Sequence, residues 1–167
     1  FALYFLGTVV ERIYGSVRFL FIYFLAGIAG SLASFALSDS VAAGASGAIF
    51  GLFGSLLYFG LQYKRLFWRT IGQGIVAVII INIAFGFIVQ EIDMAAHLGG
   101  LVAGFVVSWI CQLPSKMNLP QRWIALLTYA VLVIGLISYG FYHSEHSQLF
   151  QLTKAEHQIN QEDYAEV

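Results

Sequence analysis

Charge is scarce in this sequence. Only 10% of its 167 residues are Asp, Glu, Lys or Arg, against roughly 25% in an ordinary soluble domain, which excludes a water-soluble globular fold. The 8 basic and 9 acidic residues nearly cancel, and no basic run or interleaving of basic and aromatic residues marks a nucleic-acid surface. Cysteine occurs once, as Cys111 in an apolar segment, so no internal disulfide and no cysteine-based redox or metal framework can form. The two prolines, Pro114 and Pro120, bound one turn region. What the chain has in excess is apolar surface, with 59% hydrophobic residues and a mean hydropathy of +0.80. This composition reads as an all-α, polytopic membrane helical bundle with room for about six spans at about 20 residues each.

Apolar runs cut by charged or turn residues delimit the helices. The first covers 1–13 and closes on Glu11 and Arg12, which read as a pair anchoring the following loop. The second covers 18–37 and carries Ala26, Gly30 and Ser34 on one side, small enough to admit a neighbouring helix. After Ser38–Ser40 a third covers 41–63; Lys64, Arg65 and Arg69 then form a basic loop with Trp68 as an interface anchor. The fourth covers 70–89, with Asn82 expected to bond a neighbouring helix, and the fifth 94–113. The sixth covers 121–143. The chain opens on Phe1 within an apolar run and without a charged leader, so it is expected to be a fragment that begins inside a helix, with a span and a loop upstream.

Basic residues fall on alternate connections. Arg12, Arg18, Lys64, Arg65, Arg69, Lys116 and Arg122 lie on one set, whereas Asp39, Glu91 and Asp93 lie on the other. By the positive-inside tendency the first set is cytoplasmic, and the tail after the sixth span lies outside.

Two residues with chemistry enter from the same outer face. Ser46 lies among glycines in GASGAIFGLFG, roughly 10 Å along its helix, and His97 lies roughly 6 Å along the fifth. Gly47 and Gly51 repeat at the same interval as Ala96, Gly100 and Gly104, which lets the two backbones approach closely. A neutral imidazole so placed could take the serine proton, and burial favours the neutral form. With no acidic residue within the apolar part of any helix to orient the ring, a dyad is expected rather than a triad. Taken singly, each residue has another reading: Ser46 as a small packing residue, His97 as part of a proton or ion path.

GASGAIFG, followed two helices later by AAHLGGLVAGF and preceded by VVERIYGSVRFLFIYFLAGIAGSLAS, resembles the rhomboid family of intramembrane serine proteases over residues 1–113. The resemblance implies that Ser46 is the nucleophile, with its backbone N–H on the oxyanion, and that His97 is the general base. It implies that Phe50, where relatives commonly carry Tyr, supports the histidine by packing, and that Gly44, Gly47, Gly100 and Gly104 support the site. It also implies a His-xxx-Asn pair upstream of Phe1, so that this fragment alone would be inactive. The substrates implied are transmembrane proteins cut in or next to their helices at the outer side of the cell membrane. The fourth helix, with Phe85 and Phe87, and the 89–93 connection would act as a gate, unless these aromatics simply face lipid. No cofactor or metal is expected, because one intramembrane histidine offers no ligand set.

Two other classes remain open: a catalytically silent rhomboid-like protein that binds transmembrane helices for traffic or quality control, and a proton-coupled carrier. The silent relatives usually lack the Ser or the His, and a carrier would want more intramembrane ionisable groups. Beyond the core, 114–143 forms a linker and an extra span. Residues 144–167 form an outer tail with Leu149, Leu152, Ala155 and Ile159 at helical spacing. INQEDYAEV resembles the start of a tetratricopeptide repeat, which would make the tail a candidate adaptor site; the alternative is an acidic, solvated tail.

Overall fold

The computed structural model describes residues 1–38, 45–89 and 92–165, the stretch 147–165 by its backbone alone. Among the described residues every regular element is helical: α1 (Ala2–Tyr14), α2 (Ser16–Leu37), α3 (Ser46–Gln62), α4 (Lys64–Thr70), α5 (Gly72–Ile88), α6 (Met94–Cys111) and α7 (Leu119–Ala165). By length and hydropathy α2, α6 and the 119–146 part of α7 can each cross a membrane. The pair α4 and α5, bent by 73°, makes a fourth candidate. Helix α3 is shorter, about 25 Å at 1.5 Å per residue, and nearly all of it is buried. An apolar helix hidden on every side can be short because its neighbours, not lipid, surround it.

Helices α2, α3 and α6 pack most closely, α1 lies against α2 and α3, α7 lies across α2 and α6, and α5 makes only sparse contacts. Backbone proximity explains why the core triplet is so tight. A Cβ on Gly100 would lie 2.0 Å from the Gly47 carbonyl oxygen, and one on Gly104 would lie 2.0 Å from that of Gly51. One on Gly54 would stand 2.1 Å from the Leu101 oxygen. The four-residue glycine spacing thus becomes a seam in which each helix rests on the other's backbone, the mode of association open to helices that gain nothing by hiding apolar area from lipid.

The other half of the bundle is closed by larger groups. Val10, Tyr14, Ile22, Leu52, Leu56 and Val107 are fully buried. The Tyr14 hydroxyl donates to the Ser55 carbonyl at 2.8 Å, and Ser55 and Ser108 return their hydroxyls to their own helices. Every polar atom in this apolar layer therefore has a partner, as burial demands. Beyond α6 the chain turns through Gln112, whose φ of 53° is tolerated because its buried amide clamps Asn118 with two bonds, Nε2 to the carbonyl and Oε1 from the N–H. Tyr129 of α7 donates to the Leu25 carbonyl at 2.9 Å, tying the additional span to α2.

Several boundaries differ from those read in the sequence. Lys64–Thr70 is a helix, not a loop, and the next span starts at Gly72; charged residues end an apolar run without preventing a short helix from forming. Asn82 turns its amide onto the Val78 carbonyl of its own helix instead of a neighbour, since α5 is only lightly packed and the i−4 carbonyl is nearest. Glu11 accepts from Ser16 across the Gly15 turn. There is no break at residue 143: α7 runs on to Ala165. The side chains of Leu149, Leu152, Ala155 and Ile159, and the resemblance to a repeat, lie outside what the structure describes.

Candidate active site

Ser46 is the first residue of α3, exposed at its N-terminus. The depth of 10 Å expected from a helix starting at residue 41 therefore does not apply: the described helix starts at the serine itself. Ala45 precedes it as N-cap and has no side-chain acceptor. The first intrahelical bond runs from Ile49 N–H to the Ala45 carbonyl, so the N–H groups of Ser46, Gly47 and Ala48 have no acceptor within the helix, as at any N-terminus. These donors, and the positive end of the helix dipole, lie at the end of α3 that carries Ser46.

One turn further, Phe50 is buried with 3% of its surface exposed. The imidazole of His97 lies flat on its ring, with centroids 4.1 Å apart and planes inclined by 12°. Residues 46 and 50 are i and i+4 and share a helix face, so the stack puts the imidazole on the Ser46 side of α3. His97 itself is 8% exposed, in the second turn of α6. Its Nδ1 is buried without a hydrogen-bond partner. Among the described residues no hydrogen bond joins Ser46 to His97; such bonds commonly tighten only when substrate arrives. Gly47, Gly100 and Gly104 all stand in the seam between α3 and α6. Gly44 lies outside the described residues.

In the sequence Asp93 marks only the end of a connection. In the structure it is the N-cap of α6, its Oδ1 accepting from Ala96 N–H at 2.8 Å and its Oδ2 from the Ser34 hydroxyl of α2 at 2.5 Å. The cap was signalled by an Asp directly before an apolar helix, but nothing in the spacing pointed to Ser34.

Phe85 and Phe87, at 56% and 78% exposure, project from the C-terminal part of α5. Only Gly72 and Ile79 of that helix are buried. A groove of about 470 Å³ separates it from α1, lined by Phe5, Leu6, Phe53, Ile75 and Val78 among others.

Fold and composition together define a multi-pass membrane protein. Residues 1–114 match the model of the Rhomboid domain. Rhomboid protease GluP of Bacillus subtilis is 43% identical over 166 residues, which cover 99% of this chain and 33% of that protein. RHOMBOID-like protein 6, mitochondrial, of Arabidopsis thaliana is 34% identical over 156 residues, covering 80% and 50% respectively. RHOMBOID-like protein 5 of the same plant is 33% identical over 111 residues, covering 63% and 35%. The chain belongs to the rhomboid family. It spans between a third and a half of the length of these relatives.

Proposed function

We propose that the protein is an intramembrane serine endopeptidase that hydrolyses peptide bonds in or beside the transmembrane helices of other membrane proteins. The observation that carries this reading is the flat stack of His97 on Phe50, one turn from a serine at an open helix N-terminus. A buried histidine held against a ring on the serine's own helix face supports the reading that His97 takes the serine proton. The family's protease relatives support the same chemistry.

In this mechanism the Ser46 hydroxyl oxygen attacks the scissile carbonyl carbon while its proton passes to His97. The developing oxyanion is received by first-turn N–H donors of α3, Ser46 N–H among them; one such donor is worth about 2.7–4 kcal/mol in comparable acyl transfers. Collapse breaks the C–N bond, and the leaving amine takes the proton from His97. Water then enters and gives a proton to His97 as its oxygen adds to the acyl carbon; the bond to Ser46 Oγ breaks, and His97 returns the proton to that oxygen, restoring both residues. No carboxylate is needed as a third member if the ring is held by packing instead, and the Phe50 stack provides that.

Substrate helices would reach the dyad sideways. Helix α5 is the most loosely packed of the described spans, which makes it the element that would give way to admit them. Phe85 and Phe87 stand on its outer part and would act as bulky elements of that gate. The Lys and Arg residues of α4 and of the α6–α7 turn support a cytoplasmic position for that end of the bundle, with the dyad near the outer face of the cell membrane. Labelling by a fluorophosphonate tests the chemistry directly. Label incorporated by the full-length protein, and lost in both Ser46→Ala and His97→Ala, is the expected result; label that persists in Ser46→Ala rejects this serine as nucleophile.

A further inference from the structure

Asp93 and Ser34 form a bridge that the proposed chemistry does not itself use. The carboxylate of Asp93 is divided between two helices: Oδ1 accepts from Ala96 N–H in the first turn of α6, and Oδ2 accepts from Ser34 Oγ, which is buried in α2. The Asp93 backbone carbonyl accepts from His97 N–H at 3.2 Å. The peptide leading into His97 is held from the other side as well. The Ala96 carbonyl oxygen sits in a notch of α2 and α3, where a Cβ on Gly30 would approach it to 2.9 Å and one on Gly47 to 3.2 Å. The turn leading into the His97 nitrogen is thus fixed to α2 by a side-chain bridge and to α2 and α3 by close backbone approach.

We infer that Asp93 is a positioning residue: with Ser34 it latches the first turn of α6 onto α2 and so sets the reach of His97 toward Ser46. The inference rests on the dyad reading above. Its logic is geometric. An aspartate N-cap alone would fix only the local turn, whereas the second oxygen on Ser34 fixes that turn against the helix on which both α3 and α6 pack. Loss of the hydroxyl or the carboxylate frees the turn to shift, and a displacement on the order of 1 Å between reacting groups can lower a rate about a hundredfold.

The test measures kcat and KM for cleavage of a single-span reporter by the full-length protein in membranes, comparing wild type with Asp93→Ala, Asp93→Asn, Ser34→Ala, Ser34→Thr and the Asp93→Ala/Ser34→Ala pair. Ser31→Ala, on an exposed turn of α2 where the hydroxyl only bonds Gly27 of its own helix, serves as control. Expected are a fall in kcat of about tenfold or more for Asp93→Ala and Ser34→Ala with little change in KM. Asp93→Asn and Ser34→Thr, which keep cap and hydroxyl, stay within about threefold of wild type. The double variant falls no further than Asp93→Ala, because both changes remove one link. Unchanged kcat in Ser34→Ala overturns the latch even if Asp93→Ala does not fold. Asp93→Asn as slow as Asp93→Ala also overturns it, since charge rather than the bridge would then be what matters. A wild type that cleaves nothing overturns the dyad reading itself, whereas a wild type that cleaves while Asp93→Ala cleaves equally fast overturns the latch alone.

Discussion

Replacing Gly104 by alanine adds one methyl group where the structure has no room for it. The new Cβ would lie 2.0 Å from the Gly51 carbonyl oxygen, 2.4 Å from its Cα and 2.5 Å from its carbonyl carbon. Ordinary contact begins near 3.4 Å, so the methyl is about 1.4 Å too close to the nearest of these atoms. All three belong to backbone, so no rotamer change relieves the clash. Either α3 and α6 move apart by about that distance or both backbones distort. Overpacking of this kind typically costs about 1–3 kcal/mol, and separation at Gly104 propagates along the seam to Gly100 and on to His97, one turn beyond. Gly74→Ala provides the comparison: nothing lies within 4 Å of a Cβ there, and alanine is about 0.5–1 kcal/mol better than glycine in a helix. Unfolding in a titrated detergent mixture, with fluorophosphonate labelling of the folded fraction, reads both effects. Gly104→Ala should be destabilised by at least about 1 kcal/mol and label slowly, while Gly74→Ala matches or exceeds wild type in stability. A Gly104→Ala protein as stable as wild type, labelling at the same rate, would refute the backbone seam.

Phe50→Ala removes the face on which His97 rests; an aromatic pair contributes about 0.5–1.5 kcal/mol beyond burial, so labelling of the folded protein should slow about threefold to tenfold, with Phe50→Tyr keeping the ring and the rate. Equal rates for Phe50→Ala and wild type, normalised to folded protein, would contradict the stack's role. Tyr129→Phe loses only the bond to the Leu25 carbonyl, and unfolding measurements should show a loss of about 0.6 kcal/mol, the usual scale for hydrogen bonds between membrane helices. Phe85→Ala and Phe87→Ala change exposed groups, so stability should move by less than about 0.5 kcal/mol while cleavage of membrane-embedded reporters changes; unchanged cleavage in both would remove them from the gate.

The parts of this architecture that were legible in the sequence are those with a regular period. Gly47 and Gly51 against Gly100 and Gly104 mark a helix–helix seam because a four-residue repeat of glycine keeps one face of a helix bare, and that face is where α3 meets α6. Gly54 against Leu101 extends the same seam. Helix α4 is not legible from hydropathy because apolar runs locate the bilayer, not the hydrogen-bond ladder, and KRLFWRT forms a short ladder of its own outside the run. The 73° bend between α4 and α5 has no sequence signal comparable to a proline. Ser34 was read as a small residue at a packing face. Its hydroxyl has a partner only because α2 and the start of α6 converge, and a pairing across 59 residues cannot be obtained from local spacing. The packing of Phe50 on His97 was expected from the family resemblance alone; its flat geometry depends on how α3 and α6 are rotated about their axes, which the glycine seam fixes and hydropathy does not.

The most direct measurement is cleavage of a single-span reporter in membranes by the full-length protein, beside Ser46→Ala and His97→Ala forms present at the same level and equally folded. Wild type should give a discrete cleavage product, and neither variant any above background. Cleavage that survives either substitution would contradict the dyad, and a folded wild type that binds the reporter without cutting it would mean that this rhomboid recognises transmembrane helices without hydrolysing them.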